Sequence, residues 1–160
     1  STLAKLLNPH IKVIGIEPAN AACMKASLEA GHVVKLPSAN TIADGTAVLE
    51  CGDQVFPYLQ ANLDDVITVP DEELIVAFLD MVENHKMVVE NSGLLTVAAL
   101  KHLNVEGKKI VSVLSGGNMD VITMASARTA WTDSERQDLY HIGTASGSSG
   151  RARACGICHR

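Results

Sequence analysis

Apolar positions along this chain change their period several times, and each change marks an element. Leu3, Leu6 and Leu7 recur at helical spacing until Pro9, so residues 1–8 predict the end of an amphipathic helix. Residues 12–17 (KVIGIE) gather β-branched side chains and predict a buried strand. Asn20 can cap a following helix that runs through Met24 and Leu28 to Gly31, a residue suited to a C-terminal stop. Residues 41–48 (TIADGTAV) read as a loop turning at Asp44-Gly45. Residues 52–63 predict a helix bent near Pro57, and residues 65–69 (DVITV) a second strand. Pro70 and Asp71 open a strong helix with Glu72 and Glu73 in its first turn, where the helix dipole favours negative charge. Its apolar face is Leu74, Phe78 and Met81. Val88 and Val89 lead into another helix, over residues 92–103. Residues 109–114 (KIVSVL) predict a further strand that runs into Ser115-Gly116-Gly117-Asn118 and then a short helix.

Strands alternating with helices imply an α/β fold: a partial three-layer arrangement with a parallel sheet and helices on both faces. Ligands of such sheets bind beyond the C-terminal strand ends, where Glu17 and Ser115 are expected. That inference selects a location and no chemistry. Residues 1–125 read as one domain portion. After Ala125 the periodicity stops, and residues 126–160 are rich in Ser, Gly, Ala and Arg, which predicts disorder.

Composition narrows the function classes. The chain has 160 residues, 47% hydrophobic and only 3% aromatic, so its core is aliphatic. A net charge of -5 leaves no basic surface for phosphates and argues against a nucleic-acid partner. No apolar run approaches the ~20 residues that span a bilayer, and no segment has the make-up of a signal peptide. Four cysteines, unevenly placed, do not form a disulfide framework, so the expected compartment is the reducing cytoplasm. The chain opens on Ser1-Thr2-Leu3 inside a helical pattern, and we read it as a fragment or a processed chain.

Four segments, in order, carry a resemblance. They are residues 11–31 (IKVIGIEPANAACMKASLEAG), residues 40–48 (NTIADGTAV), residues 64–74 (DDVITVPDEEL) with residues 88–93 (VVENSG), and residues 111–120 (VSVLSGGNMD). Together they resemble the threonine dehydratase and serine racemase family of fold-type II pyridoxal-phosphate enzymes. The likeness runs over residues 1–125 and corresponds to the C-terminal part of the catalytic domain. It implies pyridoxal 5'-phosphate as cofactor and the conversion of threonine to 2-oxobutanoate and ammonia. It also implies a homo-oligomer for the complete enzyme. A serine dehydratase or serine racemase is the near alternative. A non-catalytic remnant that binds a separate N-terminal half is the distant one.

The resemblance assigns roles residue by residue. Ser115 matches a serine that hydrogen-bonds the cofactor's pyridine nitrogen. A hydroxyl donates to a neutral ring nitrogen, whereas a carboxylate would hold it protonated, and a neutral ring is the weaker electron sink. That favours loss of a β-hydroxyl. Gly116 lets the backbone turn and approach closely. Gly45 lies in a loop near the cofactor, or is simply a turn glycine. Glu90 matches an acid near the ring, or is simply a helix N-terminal charge. The usual Gly-Ala-Gly-type continuation is replaced by Asn91, Ser92, Gly93 and Leu94. Glu17, Ala21 and Cys23 match positions where some members bind a divalent cation through two acids and a backbone carbonyl. Cys23 replaces the second acid, and hard cations want oxygen, so we expect a monovalent ion or none. The lysine motif S-F-K-x-R-G-A and the phosphate loop G-G-G-G-L do not occur. Lys86, Lys101, Lys108 and Lys109 match neither, so no catalytic residue is expected and the chain alone is expected to be inactive.

Cys155-Gly156-Ile157-Cys158-His159 fits the C-x-x-C-H haem-attachment pattern but lacks an export signal or a second Cys/His pair, so neither haem nor zinc is expected. For residues 130–159, synonymous codons allow a neighbouring reading frame that resembles the family's own continuation into an ACT-type regulatory domain. We therefore expect a frameshifted tail, which the encoding DNA tests directly.

Overall fold

Ile14–Pro18 form β1 and Asp65–Val69 form β2, which pair in parallel with register Ile14↔Asp65 through Pro18↔Val69. The computed structural model describes residues 1–119. The expected short helix after Asn118, the disordered or frameshifted tail and the cysteine motif lie outside the described residues, apart from Met119. Ile, Val and Thr suit these strands because branched side chains fill a pleated surface, and Val66 and Val69 are buried. Pro18 falls on the last ladder position of β1, where a missing N–H costs least.

Helices connect the pair. Thr2–Leu7 form α1, Cys23–Ala30 form α2, and Phe56–Asn62 form α3. Asp71–Asp80 form α4, which runs into a π-helical turn over Met81–His85. Asn91–Ala98 form α5, followed by a 3-10 turn over Ala99–His102. Leu74, Phe78 and Leu79 of α4 meet Leu94 and Leu95 of α5 in the core. Gly31 ends α2 at φ 75, a left-handed cap that costs glycine nothing.

Three expectations are corrected. Asn20 does not cap α2: it lies in a 3-10 turn over Ala19–Ala21, and Ala22 holds the cap position. The Glu17 carboxylate reaches over from β1 and takes the helix's free amides instead. Pro57 does not bend a helix. It sits in the first turn of α3, where no amide donor is needed.

The third correction concerns residues 109–114, which form no strand. They run beside α5, where Ser112 Oγ donates to Thr96 O at 3.4 Å and Thr96 Oγ1 donates to Val113 O at 3.1 Å. A strand exists only through a ladder, and among the described residues no neighbouring strand meets this segment. Val111 stays 90% exposed and Val113 66%. The α/β class and the parallel pairing hold, but the described sheet has two strands and Ser115 does not stand at a strand end. No helix among the described residues is long and apolar enough to cross a membrane.

Candidate functional site

Asp71, the first residue of α4, faces back onto the loop over residues 41–46. Thr41 Oγ1 donates to Asp71 Oδ1 at 2.5 Å, and the Ile42 N–H donates to Oδ2 at 2.9 Å. Thr41 Oγ1 also accepts the Ala43 N–H at 3.2 Å. From the other side, Asn91 Nδ2 donates to Ile42 O at 3.0 Å. Ala43 within this loop is fully buried, and a 3-10 turn over Asp44–Thr46 follows. The chain thus delivers Gly45 to the N-terminus of α5. A Cβ on Gly45 would lie 2.9 Å from Ser92 Oγ and 3.5 Å from Glu90 Oε1.

Gly116 approaches Glu90 from the opposite direction. Its carbonyl accepts the Glu90 N–H at 3.1 Å, and at φ +80 it adopts a conformation that other residues resist. A Cβ there would overlap the Glu90 carboxyl. Glu90 occupies the N-cap position of α5, and its carbonyl accepts the Gly93 and Leu94 N–H groups at 2.9 and 3.2 Å. Its carboxylate makes no capping bond and faces the cleft.

The cleft at this point has a volume of about 330 Å³, within the range of small-molecule sites. Asp44, Gly45, Glu90, Asn91, Ser92 and Asn118 are among its walls. The structure therefore brings Gly45, Glu90 and Gly116 together. Ser115 is exposed and does not line the cleft; its carbonyl packs so tightly on Gly93 that a Cβ there would overlap it. Asp71 was read from the sequence only as a helix start, and Asn91 and Ser92 only as a departure from the Gly-Ala-Gly-type continuation, so none of the three was given a place in the site. A polar asparagine at the start of an apolar helix was the available signal for Asn91.

Glu17 and Ala21 are at a different place. The Met24 N–H donates to Glu17 Oε1 at 2.8 Å and the Lys25 N–H to Oε2 at 2.8 Å, so the carboxylate caps α2. Cys23 Sγ lies 3.8 Å from Glu17 Oε1. Burial, then the Glu17 charge and the nearby Cys51, push the Cys23 thiol above its ordinary pKa. A neutral thiol is a poor metal ligand. Ala21 is buried, and among the described residues no group of three or more His, Cys, Asp or Glu could hold a metal.

Comparison with known proteins places these features in context. The family model described as "Pyridoxal-phosphate dependent enzyme" matches residues 1–116. The biosynthetic L-threonine dehydratase IlvA of Salmonella typhimurium is 42% identical over 124 residues, which cover 75% of this chain and 24% of that protein. The L-threonine ammonia-lyase of Thermotoga maritima is 41% identical over 122 residues, covering 76% of this chain and 30% of that protein. Among solved structures, the processed threonine deaminase isoform 2 of Solanum lycopersicum aligns with a TM-score of 0.74 at 32% identity, over 79% of this chain and 38% of that one. Maize serine racemase aligns with a TM-score of 0.69 at 36% identity, over 79% of this chain and 42% of that one. The chain thus spans less than half the length of each of these relatives.

Proposed function

Because the chain belongs to the pyridoxal-phosphate dependent enzyme family, we propose that it is the C-terminal part of the catalytic domain of a threonine ammonia-lyase, acting on threonine to give 2-oxobutanoate and ammonia. The carrying observation is the convergence of Gly45 and Glu90 on one cleft, with Gly116 packed against Glu90, in a chain about 40% identical to proteins named for that reaction.

The cleft fits one side of the cofactor. Gly45 is part of its wall, and Gly116 packs so closely on the Glu90 carboxyl that a side chain there would displace it. Among the described residues the cleft's lining holds Asp44 and Glu90 and no lysine or arginine, so it suits the ring and not a phosphate. When bound, pyridoxal phosphate supplies an electron sink that makes the substrate's α-proton removable and its β-hydroxyl able to leave. The chain's own contribution is positional. Gly45 and Glu90 form part of the wall, and Gly116 packs against the Glu90 carboxylate. Ser115 is assigned the hydrogen bond to the ring nitrogen. That role requires residues 109–115 to take up a sheet position beside another strand, because here Ser115 lies outside the cleft lining.

The lysine that would carry the cofactor and move the α-proton has no matching motif in this sequence. Purified chain with threonine and cofactor is therefore expected to give no 2-oxobutanoate; substantial turnover would overturn this. The positive test adds the N-terminal portion of the Thermotoga catalytic domain. Cofactor absorbance and threonine turnover in the co-eluting complex are expected, whereas co-elution without cofactor uptake identifies a non-catalytic remnant. Serine is the competing substrate, since serine racemase is among the structural neighbours. A cytoplasmic location and a homo-oligomeric complete enzyme complete the proposal.

A further inference from the structure

We infer that Asp71 and Asn91 are positioning residues that clamp the Ile42 peptide from both sides and so set the cleft wall formed by Gly45. The inference rests on the function proposed above.

The clamp uses both hydrogen-bonding groups of one residue. The Ile42 N–H goes to Asp71 Oδ2 at 2.9 Å and the Ile42 carbonyl to Asn91 Nδ2 at 3.0 Å. The second carboxylate oxygen of Asp71 holds Thr41 Oγ1, which in turn accepts the Ala43 N–H. The two clamping side chains come from the first residues of α4 and α5. These helices pack against each other, and Leu74 of α4 and Leu94 of α5 are fully buried, so the clamp has a rigid base. Asn91 is itself buried at 9% exposure, and a buried amide left without a partner is costly. A glycine at this position offers no donor to Ile42.

Gly45 follows Ile42 by three residues, through the buried Ala43 and a single 3-10 turn. That short path transmits the position of Ile42 to the wall. Little slack exists there, because even an added Cβ would sit 2.9 Å from Ser92 Oγ. Releasing either side of Ile42 lets the loop close onto Ser92 or swing away from it. Either movement changes the width of the space beside Glu90. Asn91 thus differs from an ordinary helix-start polar residue: its side chain bonds outward to the loop and makes no bond within α5.

The test uses the full chain and pyridoxine, which has the cofactor's ring without its aldehyde or phosphate. Amide shifts of Gly45, Glu90 and Ser92 report binding, and hydrogen exchange of residues 42–46 reports loop order. Asn91→Gly and Asp71→Asn are each expected to weaken pyridoxine binding about three- to ten-fold, the loss of one hydrogen bond. Both are also expected to speed exchange in the loop. Glu73→Gln, which breaks surface pairs with Lys101 and His102 elsewhere on α4, is expected to change neither. If Asn91→Gly does not fold, Asp71→Asn carries the test. Wild type that binds, with variants that bind equally well, overturns the inference and leaves the proposed function standing. Wild type that shows no shift at all removes the cleft assignment, and the inference with it.

Discussion

Glu17 and Met24 are joined by a 2.8 Å hydrogen bond from the Met24 amide to the Glu17 carboxylate, which ties the end of β1 to the first turn of α2. With the matching bond from Lys25, it satisfies two of the donors that every helix N-terminus leaves open.

Replacing that cap should therefore destabilise the fold. Glu17→Ala is expected to cost about 1–2 kcal/mol, in line with lost helix caps. Thermal unfolding of the variant and the wild type checks the claim. A variant as stable as wild type contradicts the capping role.

Asp64 links the chain's opening to the sheet. Its carboxylate accepts Lys5 Nζ at 2.6 Å and the Val13 N–H at 2.6 Å, while Lys5 Nζ also donates to Ile11 O at 2.9 Å. Lys5, then the Val13 amide, hold the Asp64 carboxyl below its ordinary pKa. A depressed carboxyl stabilises the fold above its unfolded value and loses that contribution as pH falls through the folded one. The docking of α1 should thus weaken below about pH 4. Hydrogen exchange in α1 and around Val13 should rise there in wild type and already be high at neutral pH in Asp64→Asn. Equal exchange in the two proteins at pH 7 would discard the link.

The two described cysteines should differ in reactivity. Cys23 is 2% exposed and its thiol is shifted upward, whereas Cys51 is half-buried beside Ser27 Oγ at 3.5 Å. Alkylation followed by peptide mapping is expected to modify Cys51 on the order of ten times faster, since the thiolate is the reactive form. Faster labelling of Cys23 would contradict both its burial and its shift.

The segment over residues 109–114 should govern association of the isolated chain. Val111 and Val113 present apolar side chains to solvent in a segment of strand-like composition, which favours recruitment of other chains. Val111→Lys with Val113→Lys is expected to lower the aggregated fraction by at least about two-fold, because charge on an exposed edge opposes pairing. Unfolding temperature should change little, since neither side chain is buried. Light scattering and thermal unfolding measure the two quantities, and unchanged scattering would clear this segment.

Elements whose cause is local were legible in the residues themselves. Asp65–Val69 matched the expected second strand, because four of its five residues, Val66 through Val69, are β-branched. Asp71–Asp80 began where Pro70 and the acidic first turn placed it, and Gly31 closed α2 as its conformational freedom allows. The ordered segments also carried the family, which matches residues 1–116. Tertiary structure alone decided everything that depends on a distant partner. Residues 109–114 have the composition of a strand, yet a ladder needs a neighbour, and among the described residues none lies beside them. Glu17 displaced Asn20 as the cap because the carboxylate arrives across a strand end, which no local spacing reveals. Asn91 acquired its partner, Ile42, from 49 positions away, since only the packing of α4 against α5 brings that carbonyl within reach.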